Sequence, residues 1–262
     1  MDQDSYSIRL CNTMHDPERE REFIRQLYDR QVRGVILSSV AQDNAEFVNK
    51  YVRKGMKFVL LDQLLSGVEA PSIDYDSRAG ARLAVEHLLS LGHKKIAFAT
   101  TPLVRFTRKE IYTGYRKALV AAGIEPDETL LYERAIDKSG RGSDYELNIG
   151  RLIAEEMLKK GCPATAVVCI NDMIAIGLIQ TLAQQGIRVP EDISVIGFDN
   201  IPLAGAYVPA LTTVHSPAQE MGRLAAIMLL DALRSDEETM AVTMRLSPKL
   251  VVRESTGKPK NK

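Results

Sequence analysis

Two polar pairs interrupt the most apolar stretches of the chain, and both stand in the same kind of place. Asn171 and Asp172 follow the run Ala166–Ile170, and Asp199 and Asn200 follow Ser194–Phe198. An amide and a carboxylate offer donors and acceptors without a nucleophile, which suits holding a hydroxyl-rich ligand better than breaking a bond. The structural alternative is that Asn171 or Asp172 caps a helix and Asp199 starts a turn. Catalytic chemistry is hard to find elsewhere. The sequence contains no dinucleotide fingerprint, P-loop, zincin motif or nucleophile elbow. His15, His87, His93 and His215 are scattered without metal-ligand spacing. The glycine-rich GRGS at Gly140 reads as a turn with Ser143 or Asp144 as N-cap in preference to a phosphate cradle. The expectation is a binder, not an enzyme, with no cofactor and no metal.

The elements that must position these residues follow one grammar. Ala166–Ile170 has the length and β-branched content of a strand buried on both faces. Ala175, Leu178, Ile179 and Leu182 then recur at helical spacing, Gly186 stops the helix, and the second apolar run follows. The result is a β-α-β unit. Helix, glycine and apolar strand repeat along the chain: GVILSS, KFVLLD and KIAFAT are strands, and helices close at Gly55, Gly92, Gly123 and Gly161. Ile8–Cys11 reads as a short strand, with Asp16 as N-cap and Pro17 opening the next helix. This is an α/β protein built on parallel sheet. Ligands of such sheets bind outside the carboxyl ends of the strands, where Asn171, Asp199 and also Asp62 are placed. A helix from about Pro217, with LAAIMLL apolar nearly all round, should pack on more than one side. The tail TGKPKNK reads as solvated.

Composition limits the partners. The 262 residues carry 34 basic and 34 acidic side chains, so the chain lacks the charge excess of a domain gripping a phosphate backbone. Cys11, Cys162 and Cys169 leave an odd thiol and form no C-x-x-C pair, and no leader or membrane span is recognisable. A reducing, cytoplasmic setting is expected.

INDMIAIG, GIRVPEDISVIGFDN, PALTTVHSP and LVVRES, in this order, resemble the effector-binding core of the LacI/GalR family of bacterial repressors. The resemblance covers roughly Tyr6 to Ser255. It implies a periplasmic-binding-protein-like fold of type I, two doubly wound lobes around a ligand cleft. One lobe would be 1–74 plus 217–243, the other 75–216 plus 244–256, with 257–262 as tail. It also implies a small sugar-like effector, a homodimer with Tyr207 in its interface, and operator DNA as partner only where a helix-turn-helix is present. The family's helix-turn-helix, hinge, first strand and first helix are not found here, so the chain is expected to be marginally stable and unable to bind an operator. A sugar-binding protein feeding a transporter is the competing reading.

Asn171 and Asp199 are expected to contact the effector, while Asp172 orders the helix start. Asp62, Arg105 and Thr107 match family positions that contact ligands. The arginine usually found three residues before the glycine of the GY pair is Ile111 here, a departure. Arg108 and Lys109 add cations where the helix dipole opposes them, although Lys109 alone reads as solvated. A carboxylate held by Arg105 would gain roughly 1.5–3 kcal/mol. A sugar acid or sugar phosphate is therefore expected over a neutral sugar.

Overall fold

The computed structural model describes residues 6–14, 16–39, 42–62, 65–135, 144–235 and 240–260; His15 and the GRGS turn lie outside them. In chain order the elements are α1 (Pro17–Asp29), β1 (Gly34–Leu37), α2 (Ala45–Val52), β2 (Lys57–Leu61), β3 (Ser72–Tyr75), α3 (Ser77–Ser90), β4 (Ile96–Thr100), α4 (Phe106–Ala121), β5 (Leu131–Glu133), α5 (Tyr145–Lys159), β6 (Ala166–Cys169), α6 (Asp172–Gln184), β7 (Ser194–Asp199), α7 (Pro202–Ala206), β8 (Thr212–His215), α8 (Ala218–Arg234), β9 (Thr243–Leu246) and β10 (Lys249–Val251). Two compact units result, Met1–Asp74 with Gly222–Met244, and Tyr75–Met221 with Arg245–Lys262.

The first unit holds a sheet in the order β1-β2-β3-β9. Its α1 begins as the sequence dictates: Asp16 accepts from the Glu18 and Arg19 amides, and Pro17 stands at the first helical position. Val48, Phe58, Leu60 and Ile24 form the core. Two expectations fail here. Residues 6–13 have no regular structure, and Ile8 and Leu10 are 95% and 93% exposed. A strand exists only through a neighbour's hydrogen bonds, and among the described residues none pairs with Ile8–Cys11. On α8, Met221, Ala225 and Ala232 are buried but Ala226 and Ile227 are exposed, so this helix is not packed all round. The unit also buries a carboxylate. Glu20, 1% exposed, accepts from Ser39 Oγ at 2.7 Å and Asn44 Nδ2 at 2.6 Å, beside the carboxyl end of β1.

The second unit holds the sheet β10-β8-β7-β6-β4-β5. Every pair is parallel except β10 with β8, where Leu250 faces Val214. Phe98, Val167, Ile196, Leu178 and Ile153 are wholly buried. The antiparallel edge could not be read from hydrophobic runs, because a three-residue edge strand has no period to detect.

Glycines set the spacing of the helices on this sheet. A Cβ on Gly150 of α5 would fall 2.2 Å from the Ile174 carbonyl, and one on Gly177 of α6 2.1 Å from the Leu147 carbonyl. The two backbones touch directly.

The tail is solvated only in part: Lys258 and Lys260 are exposed, whereas Thr256 and Gly257 are docked. Gly257 N donates to Ser194 Oγ at 3.0 Å, and the Gly257 carbonyl accepts from His93 Nε2 at 2.8 Å. His87 Nε2 lies 3.0 Å from Thr256 Oγ1, and Lys260 pairs with Asp192. Burial lowers the pKa of His93, with the Gly257 carbonyl opposing, and lowers that of His87, aided by His93. Composition marked the lysines as solvent-seeking and missed the backbone groups of Gly257, which do the docking.

Gly177→Ala should cost about 1–3 kcal/mol, since the neighbouring atom is backbone and cannot rotate away. A lower urea midpoint is the expected reading; an unchanged midpoint would contradict the close approach.

Candidate functional site

The second sheet has one switch point. From β4 the chain crosses to β5 on one side, and from β5 it returns past β4 to β6 on the other. Right-handed crossovers place the following helices on opposite faces. The loops after β4 and β6 therefore part, leaving a crevice at their carboxyl ends. The loop after β4 brings Arg105 and Thr107, and the loops after β6 and β7 bring Asn171 and Asp199.

Arg105 is the N-cap residue of α4, with no side-chain cap bond, and its Nε is buried without a hydrogen-bond partner among the described residues. Thr101 Oγ1, also buried and unpartnered, stands at the start of the same loop. Thr107 lies in the first turn of α4. One residue on, the Arg108 side chain is 17% exposed and faces Glu146 of α5 at 3.7 Å. Desolvation lowers the Arg108 pKa, and the charge of Arg105 lowers it further, against Glu146, Tyr145 and Asp199, which raise it. Two guanidinium groups thus share a half-buried corner. Lys109 is exposed, and Ile111, 3% exposed, belongs to the core.

Asn171 has extended backbone, and its Oδ1 accepts from the Ile174 amide at 2.9 Å. It is the N-cap of α6. That cap engages the carbonyl oxygen and leaves out the amide nitrogen. The expectation that Asp172 orders the helix start is corrected: its carboxylate turns away from α6, accepting from Thr213 Oγ1 at 2.5 Å and from the Ile201 amide at 2.9 Å. With Asn171 already serving the helix end, Asp172 is released for tertiary bonding. Gly197 makes room for it, since a Cβ there would lie 2.2 Å from Asp172 Oδ1. Burial pushes the Asp172 carboxyl up to about 6, against the bonds from Thr213 and Ile201 and the charge of Arg253.

Asp199 ends β7 exposed, with φ +104°, and Asn200 follows at +56°. Asp62 follows β2 of the first unit with φ +63°. Left-handed backbone at non-glycine residues is uncommon and clusters at functional sites. Tyr207, the C-cap of α7, is half-buried against the core of its own unit, while Leu203 and Val208 beside it are exposed. Sequence reasoning missed Arg253 and Thr213. The signal was an arginine closing the apolar run LVVR, where a charge has to find a partner.

Among the described residues no helix is long and apolar enough to cross a membrane. Residues 85–256 match the family model of the periplasmic binding protein-like domain. The chain is 33% identical over 258 residues to an HTH-type transcriptional repressor PurR of Vibrio atlanticus, covering 98% of this chain and 73% of the repressor. Among solved structures it is similar to a LacI family regulator from Enterococcus faecium with bound ribose, at 31% identity and a TM-score of 0.82, covering 95% of this chain and 87% of that one. A sugar-binding LacI family regulator from Escherichia coli, complexed with phosphate, aligns at 29% identity and a TM-score of 0.76, covering 93% and 84%. Parallel sheet, switch-point loops and the run of motifs from Asn171 to Ser255 thus have one common source: the chain belongs to the LacI family of transcriptional regulators and comprises its periplasmic-binding-protein-like effector core.

Proposed function

We propose that this core senses a small sugar derivative bearing an anionic group, bound at the carboxyl ends of the second unit's strands. The observation that carries this is the pair Arg105 and Arg108, with the Arg105 Nε buried and unsatisfied among the described residues. A bound anion supplies the missing acceptor and relieves the repulsion between the two guanidinium groups. The Asn171 amide and the Asp199 carboxylate, with Thr107, supply the donors and acceptors for hydroxyl groups. The ribose and phosphate in the two similar regulators support a ligand of this kind. The relatives named PurR make a purine the rival class. Effector binding would then shift the equilibrium of operator binding in the full-length, cytoplasmic regulator.

A melting panel of glucose 6-phosphate, glucuronate, glucose, ribose, hypoxanthine and guanine tests the reading. A ligand at ~100 times its Kd stabilises the fold by about 2.7 kcal/mol. The two anions should shift the melt of the wild type, and Arg105→Ala should abolish that shift. Shifts from neutral sugars or purines alone, or normal binding by Arg105→Ala, would overturn the anionic class.

We also propose that the regulator is a homodimer through the segment before LTT, residues 206–210, with Tyr207 as anchor, an aromatic placed as interfaces favour. Because Tyr207 also touches its own core, Val208→Asp accompanies Tyr207→Asp. Both should sediment as monomers with unchanged circular dichroism. A dimer surviving both substitutions would refute the assignment.

A further inference from the structure

We propose that Asp172 is a positioning residue for the effector site: its buried carboxylate, with Arg253 acting through Asn200, holds Asp199 in its left-handed backbone conformation. The inference rests on the reading of Asp199 as an effector contact, but its geometry stands apart from it. Two successive non-glycine residues with positive φ, Asp199 and Asn200, persist only where their surroundings over-determine them. Several restraints hold them. Immediately downstream, the Ile201 amide donates to Asp172 Oδ2 at 2.9 Å. The Asn200 amide donates to Thr213 Oγ1 at 3.3 Å, and that hydroxyl donates in turn to Asp172 Oδ1 at 2.5 Å. The Asn200 side chain is held separately. Arg253 Nη2 donates to its Oδ1 at 2.7 Å while Nη1 donates to the Leu211 carbonyl at 2.7 Å, a fork that fixes two points at once.

The chemistry of position 172 explains why it is an aspartate. The Thr213 hydroxyl and the Ile201 and Asn200 amides converge on it, and a carboxylate is the short side chain that accepts from all of them. An asparagine of the same shape offers one acceptor and turns two donors of its own toward the Thr213 hydroxyl. A charge that is 0% exposed is costly, and its stem is not needed to start α6, because Asn171 already caps that helix. The terminal segment is fixed in turn: Ser255 Oγ donates to the Val195 carbonyl at 2.6 Å and accepts from the Thr212 amide at 2.8 Å, so Arg253 reaches Asn200 from a docked base.

The test is amide hydrogen exchange and backbone chemical shifts of the full chain labelled with nitrogen-15. In Asp172→Asn, protection of the Ile201 amide should fall tenfold or more and the Asp199 and Asn200 resonances should move, while protection in β4 and β6 is kept. Because burial raises the Asp172 pKa above its value in the opened state, wild-type protection at Ile201, corrected for intrinsic exchange, should rise as pH drops through about 6, where Asp172 takes up its proton, and the variant should show no such step. The titratable neighbours are the Cys169 thiol, pushed up by burial and by Asp172, the Arg253 guanidinium, and His215, 3.3 Å from Asn200 Nδ2. A step that survives in Asp172→Asn belongs to another group and overturns the assignment, as does unchanged exchange at Ile201. Should Asp172→Asn fail to fold, Arg253→Lys carries the test. Its single ammonium cannot span Asn200 and Leu211, so unmoved Asp199 and Asn200 shifts would overturn the proposal. Glucose 6-phosphate melts on wild type and Asp199→Asn separate the two readings. Equal binding by both refutes Asp199 as an effector contact, whereas a lost shift in Asp172→Asn together with displaced Asp199 resonances supports the clamp.

Discussion

A parallel sheet buried on both faces has nowhere to place polar side chains except at its strand ends, and the second unit is built on that constraint. β4, β6 and β7 are buried along nearly their whole length, so the first residues able to carry charge or hydrogen-bonding side chains come where each strand stops. The switch in strand order between β4 and β6 then decides which strand ends open onto a crevice. Backbone contact between α5 and α6 at Gly150 and Gly177 keeps the helix that follows β6 close to its neighbour. The positions of Asn171 and Asp199 are consequences of packing before they are features of recognition.

The same constraint explains what could be read without coordinates. Buried runs announce strands, glycines with positive φ such as Gly92, Gly123 and Gly186 announce helix ends, and the α/β class follows. Ile8–Cys11 failed because an apolar run of strand length is necessary for a strand but not sufficient; pairing is a tertiary property. The tail failed for a related reason. Its docking depends on backbone groups at Gly257 and on the Ser194 and His93 side chains, and none of these shows in a count of lysines.

At the site, legibility ran out at the second layer of contacts. Residue type and placement singled out Asn171, Asp172 and Asp199, but which of them would cap, clamp or face outward depends on side-chain direction. Asn171 took the cap, leaving Asp172 to reach Thr213, more than forty residues on, at an Oδ1 to Oγ1 distance of 2.5 Å. Arg253 was marked only by the charge that closes LVVR; its partner Asn200 lies just beyond β7, outside any periodic element, so the pairing could not be read.

Ile111 stands where the family resemblance implies an arginine, and on the proposed reading the cations of the site lie nearer the helix start. Positions 108 and 111 lie three apart on α4 and so share a face of the helix. Ile111 seals into the core, and the cation on that face stands one turn nearer the helix start as Arg108. There it meets an unfavourable dipole and a second guanidinium at Arg105, with Glu146 at 3.7 Å as partial compensation. On the reading proposed above, an anion held by this pair would give Arg105 Nε the acceptor it lacks among the described residues.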